Sequence, residues 1–115
     1  MHPYKRSQRV ADLIKEVIAD AIQQRLKDPR VGFVTVTGVD LTEDLKLARI
    51  YVSILKEEER QETIDILNEA KNFFRSEVAK NVRMKYTPAV EFRLDTSIEY
   101  GDKIERLLRD IKEQH

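Results

Sequence analysis

"NEAKNFFRSEVAKNVRMK", residues 68–85, decides how the middle of this chain is built. Ala70, Phe74, Val78 and Val82 recur at helical spacing, which predicts an apolar stripe along a helix. Asn72 interrupts the run where a stronger helix former would be expected. Periodicity alone leaves two readings open, a single long helix or two helices with a break at 70–72. The stretch is also basic, with Lys71, Arg75, Lys80, Arg83 and Lys85 against only Glu69 and Glu77.

Upstream, Val10, Leu13, Ile14, Val17, Ile18, Ala21, Ile22 and Leu26 follow an i, i+3, i+4, i+7 rhythm. This predicts an amphipathic helix entered near Ser7 as N-cap and ended by Pro29 in "KDPR". "FVTVTGV" (33–39) and "LARIYVSIL" (47–55) alternate and are rich in β-branched residues, so both read as strands. In the second, Ala48, Ile50, Val52 and Ile54 share one face, and Arg49, Tyr51 and Ser53 the other. The short polar link "DLTEDLK" predicts an antiparallel hairpin. The acidic run "KEEERQETIDILNEA" opens the next helix, where the dipole favours carboxylates, with Ile64, Leu67 and Ala70 continuing into the Phe74 stripe. Pro88 is expected to stop that helix. Val90, Phe92 and Leu94 of "VEFRL" face inward on a third strand. Thr96 and Glu99 fit a capping box that opens a last helix through Ile104, Leu107, Leu108 and Ile111. One α+β domain over residues 1–115 follows, a three-stranded sheet covered by helices.

The totals are consistent with one core. Of 115 residues, 41% are apolar and 37% charged, which suits either a thermophilic source or a well-solvated surface. Cysteine is absent, which excludes disulfides, thiolate metal sites and cysteine nucleophiles. No apolar run reaches the roughly 20 residues of a membrane span, and the N-terminus lacks a signal-peptide core. A soluble cytoplasmic protein with no membrane partner is expected. The formal net charge of zero hides segregation. Lys5, Arg6, Arg9 and Lys15 outweigh Asp12 at the N-terminus. Residues 56–69 are acidic through Glu57, Glu58, Glu59, Glu62, Asp65 and Glu69, and residues 71–85 are basic. Such blocks create local fields that a neutral total conceals.

Catalytic chemistry finds little support. The only histidines are His2 and His115, and the glycines stand alone at 32, 38 and 101, which excludes phosphate-binding glycine loops. "EEER" reads as a solvated helix start. No catalytic residue, metal, cofactor or small-molecule substrate is expected. Binding fits better, because long cationic side chains beside an apolar stripe suit the repeating phosphates of a nucleic acid. The bland alternative is a solvated face that balances the acidic helix before it. Arg30 is divided evenly between a binding role and a pair with an acidic neighbour.

A hairpin after a helix, two helices joined at a tight kink and a third strand together resemble the type II KH domain, here without its GXXG loop. The whole chain is similar to the ribosome-binding factor A family. The matching blocks are "RVADLIKEVIADAI" leading to "KDPR", "VTVTGVDLTEDLKLARIYVSIL", "LNEAKNFFRSEVAKNVRMKYTPAVEFRLD" and "SIEYGDKIERLL". The resemblance implies an α-β-β-α-kink-α-β-α order in which an Ala-x-Gly kink replaces GXXG. On this chain the kink falls on Ala70, Lys71 and Asn72. Asparagine stands in the glycine position and reaches left-handed geometry more readily than most other residues.

The resemblance also implies a non-enzymatic factor that binds the immature small ribosomal subunit and its rRNA, assists late rRNA maturation and serves cold adaptation. The residues expected to contact RNA are Lys71, Arg75, Lys80, Arg83 and Lys85, extended by Lys5, Arg6 and Arg9. A monomer is expected. The competing reading is a protein-interaction module that uses the acidic 57–69 face or a sheet edge to bind a basic partner.

Overall fold

The computed structural model describes residues 6–26 and 28–96. The expected final helix with Glu99 of its capping box, the two histidines and Lys5 lie outside those residues. Helix α1 spans Arg6–Asp20 and runs on through one wide π-helical turn, Ala21–Arg25. The turn is closed by the Leu26 N–H, which donates to the Ala21 carbonyl at 2.8 Å. Strands β1 (Val34–Leu41) and β2 (Leu47–Ile54) form the antiparallel hairpin. A short 3-10 turn, Glu57–Glu59, leads into α2 (Arg60–Glu69), then α3 (Lys71–Asn81) and β3 (Ala89–Leu94). The sheet order is β1-β2-β3, with β3 parallel to β2.

The helices cover one face of this sheet. Ala48, Ile50, Val52 and Ile54 of β2 are buried, as their alternation predicts, together with Val90 and Phe92 of β3. Ile14 and Ile18 of α1 and Ala21 and Ile22 of the π turn pack on them, with Leu67, Phe74 and Val78 from the other helices. Phe74 meets Phe92 edge to face, with ring centroids 4.8 Å apart, an arrangement that adds about 0.5–1.5 kcal/mol beyond burial.

Four local expectations need correcting. Ser7 lies inside α1, which has already begun at Arg6, so it is not the cap. Leu13 faces solvent, because the helix stripe is centred on Ile14 and Ile18. On α2 the buried residues are Thr63, Ile66 and Leu67, while Ile64 and Ala70 sit half-buried at the border. Helix α3 stops at Asn81, well before Pro88. There the β-branched Val82 turns extended and the Asn81 side chain donates to the Glu77 carbonyl at 2.8 Å.

The break between α2 and α3 falls on Ala70 (φ −91°, ψ 13°), which ends one helix and begins the next. Its N–H reaches the Ile66 and Leu67 carbonyls, and its own carbonyl accepts from Phe74. Asn72 is an ordinary exposed residue in the first turn of α3. Leu45 alone among the described non-glycine residues has a positive φ. The kink therefore needs no left-handed residue, and asparagine in place of glycine leaves it intact.

Strand β1 contains a device that its letters do not show. Pairing runs Val36↔Val52, then Gly38↔Tyr51, so Thr37 is an extra, bulged residue. The bulge reverses parity. Val34 and Val36 before it, and Val39 and Leu41 after it, all pack on the core. Thr37 Oγ1 donates to Asp95 Oδ2 at 2.6 Å, tying β1 to the end of β3.

Deleting Thr37 should put either Val34 and Val36 or Val39 and Leu41 on the wrong face. Two aliphatic side chains at about 1.5–3 kcal/mol each predict a loss of about 3–6 kcal/mol in urea unfolding. Thr37→Val, which keeps the residue count, should lose far less. A second site is the β3 edge, where Asn68 Nδ2 donates to the Phe92 carbonyl at 3.1 Å and the Phe92 N–H donates to Asn68 Oδ1 at 2.8 Å. Asn68→Ala leaves both backbone groups unpaired and should cost about 2–4 kcal/mol in the same measurement.

Candidate nucleic-acid interface

The basic residues of 71–85 do not form one helical row. Lys71, Arg75 and Lys80 stand on α3, whereas Arg83 and Lys85 lie in the loop that follows it. Folding regroups them into two neighbouring grooves. The larger, about 660 Å³, is lined by Arg6 and Val10 of α1, Glu43, Asp44, Leu45 and Lys46 of the hairpin turn, Arg75, and the 83–87 loop. The second, about 540 Å³, lies at the α2–α3 bend and is lined by Asn68, Lys71, Asn72, Arg75 and Val90. Arg75 and Ala89 line both, so the grooves adjoin.

Arg75 also has a structural task. Its Nε and Nη2 donate to the Thr87 carbonyl at 3.3 and 3.0 Å, which fastens the 82–88 loop to α3. Lys80 is drawn elsewhere. Glu77 is only 5% exposed, and its carboxylate lies 3.6 Å from Arg25 Nε and 3.7 Å from Lys80 Nζ. A buried carboxylate requires such company, so Lys80 offsets the Glu77 charge from the next turn of α3, and it lines neither groove. Arg9 is exposed on α1 and lines neither groove.

Sequence reasoning missed Lys46. The hairpin link looked like a generic polar loop, yet its turn is tightly specified. Leu45 N–H donates to the Thr42 carbonyl at 2.8 Å, and Leu45 takes the left-handed conformation (φ 60°). Asp44 accepts from Thr42 Oγ1 at 2.7 Å and from the Lys46 N–H at 3.0 Å. These two bonds hold its carboxyl below the usual range, the hydroxyl bond first. Thus Asp44, itself part of the groove lining, builds the turn that sets Lys46 on the groove wall. Tyr86 was missed as well, because the residues before Pro88 were read as helix.

Among the described residues, no group of three or more carboxylates and histidines is placed to hold a metal, and no helix is long and apolar enough to cross a membrane.

Residues 6–108 match the family model of ribosome-binding factor A. The chain is 52% identical over 112 residues to ribosome-binding factor A of Thermodesulfovibrio yellowstonii, covering 97% of this chain and 95% of that one. The crystal structure of ribosome-binding factor A from Thermus thermophilus is similar with a TM-score of 0.70 at 30% identity, over 79% of this chain and 97% of that one. A homology model of the Thermus thermophilus factor, fitted into a cryo-EM map of a 30S–RbfA complex, gives a TM-score of 0.65 at 32% identity, over 80% and 97% of the two chains.

Arg30, which the sequence left divided, is paired. Its Nη2 lies 2.7 Å from Asp28 Oδ2, and its Nε and backbone N–H donate to Asp28 Oδ1. These bonds lower the Asp28 pKa, the side-chain bond first. Glu62 and Glu69 add an attractive field at Arg30. A folded pKa below the unfolded one gives stability that is present above the unfolded value, about 3.9, and is lost as pH falls through the folded value. Arg30→Ala should therefore move the Asp28 midpoint upward in a carbon-detected NMR titration. The stability gap between wild type and variant should close as the pH drops below about 4.

Proposed function

Because the chain belongs to the ribosome-binding factor A family, we propose that it is a non-enzymatic assembly factor that binds small-subunit rRNA in the immature small ribosomal subunit. The observation that carries this reading is the convergence of Arg6, Lys46, Arg75, Arg83 and Lys85 on one groove. These residues come from three separated parts of the chain, so the cluster is a product of folding and not of local composition. Support also comes from the relative whose coordinates were fitted into a 30S complex.

The factor acts by conformational capture. It binds the immature arrangement of the subunit more tightly than the mature one, and so shifts the population without chemistry. A tenfold preference is worth about 1.4 kcal/mol. In this way it assists late rRNA maturation and leaves when the mature form no longer fits. Alternative RNA pairings persist longest in the cold, which is where such a factor matters most. It acts as a monomer in the cytoplasm. The rival reading, capture of a basic protein partner, has less support. At Phe92 the β3 edge is already taken by Asn68, and Arg30 already lies in the field of the acidic Glu62 and Glu69.

Co-sedimentation with immature and mature small subunits at several salt concentrations tests the proposal. The wild type should favour the immature particle. Neutralising Arg6, Lys46, Arg83 and Lys85 to glutamine should flatten the salt slope by about 0.7–0.9 per lost phosphate contact, while Lys80→Gln should leave it unchanged. Equal binding to both particles, or an unaffected quadruple variant, would refute it.

A further inference from the structure

Tyr86 is 76% exposed, and it lines the same groove as Arg6, Lys46, Arg83 and Lys85. A lone exposed aromatic is ordinary on a protein surface. This one has unusual surroundings. Lys85 Nζ stands 5.6 Å from the ring centroid, within range of a cation–π contact on one face. Most of the Tyr86 side chain nevertheless remains open to solvent. Val10, Leu45 and Met84 supply apolar lining to a groove whose charged residues are five cations and, at the hairpin turn, the two acids Glu43 and Asp44. Leu45 does so from a left-handed conformation that costs a residue with a β-carbon roughly 1–2 kcal/mol. The groove volume of about 660 Å³ falls within the roughly 300–1,000 Å³ usual for small-ligand pockets.

A flat aromatic face, an apolar lining and a rim in which five cations outnumber two carboxylates together match an unstacked nucleobase with its flanking phosphates. A double helix presents phosphates but no free base face, so it would use only the cations. We infer that Tyr86 is a stacking platform for one unpaired base of single-stranded RNA. The flanking phosphates lie against Arg6 and Arg83, and the strand continues past Arg75 toward Lys71 in the adjoining groove. This inference rests on the groove being the RNA site and adds the form of RNA that it takes.

The test uses the full chain with an oligoadenylate octamer carrying 2-aminopurine at one position, moved along the strand in successive probes. The same octamer annealed to its complement is the duplex control. At one or more positions the wild type should change the 2-aminopurine emission of the single strand. Tyr86→Ala should abolish that change and weaken single-strand binding about 5- to 100-fold, the range for losing one base–aromatic stack. Duplex affinity and the salt slope should stay as they were. Tyr86→Phe should bind within about twofold of wild type, since the ring and not the hydroxyl carries the contact. Arg83→Gln should reduce the salt slope by about 0.7. No single-strand binding by the wild type overturns the inference. Equal loss on single strand and duplex in Tyr86→Ala, or no loss on either, also overturns it. A normal Tyr86→Ala beside a defective Arg83→Gln removes the stacking platform but leaves the groove as the RNA site. An Arg83→Gln without effect on the salt slope removes the site itself.

Discussion

The two hydrogen bonds between the Asn68 side-chain amide and the backbone of Phe92 fix the relation of the helices to the sheet. β3 is an edge strand, and its outward backbone groups need partners. Asn68 acts there as a one-residue substitute for a further strand, and so the end of α2 is anchored against β3. Phe74, six residues on, must also reach β3 to meet the Phe92 ring. On a straight helix, residues six apart point about 120° away from each other. Both contacts can be made only if the helix axis changes direction between them, and Ala70 is where it does. The bend then directs α3 so that Arg75 reaches the Thr87 carbonyl and the loop after α3 forms part of the groove wall.

Much of this could be read from the residues, and the failures have physical causes. β2 was legible because its alternation is unbroken from Ala48 to Ile54 and every inward residue is apolar. β1 was legible as a strand but not as two half-strands of opposite parity, since a bulge at Thr37 leaves no mark in composition. The break near 70–72 was foreseen, but its mechanism was not. A search for a left-handed residue points to Asn72, while the chain bends at Ala70 with both of its backbone groups hydrogen-bonded. The end of α3 was placed too late because Pro88 is a conspicuous stop. The actual stop is Val82 turning extended, with Asn81 folded back on the Glu77 carbonyl.

Of the cations expected from the sequence to share one surface, only some line the proposed groove. A run of cations in sequence is sorted by what each one meets in space. Lys80 belongs to the buried Glu77, a demand that cannot be seen without knowing that Glu77 is buried. Arg30 is held by Asp28 two residues away, a pairing the sequence did allow for. Arg6 and Lys46 arrive at the groove from α1 and from the hairpin, at distances along the chain that no window of sequence connects. Tyr86 enters because α3 is shorter than its periodicity suggests, which turns the residues after Val82 into a loop that exposes Arg83, Lys85 and Tyr86.

The separation of charge along the chain has a consequence for how such a protein searches its surroundings. A strongly basic protein is drawn to every polyanion it approaches, and spends its time on the wrong ones. This chain carries 21 basic and 21 acidic residues, so it has no net monopole to pull it toward bulk nucleic acid. At physiological salt the field of its cationic groove fades over a Debye length of about 8 Å. Attraction therefore begins only near contact, after the shapes have met, while the acidic side of α2 repels a polyanion that arrives from the wrong direction. Selectivity of this kind is kinetic: poor fits are left quickly, and only a surface that fills the groove holds the protein long enough to matter.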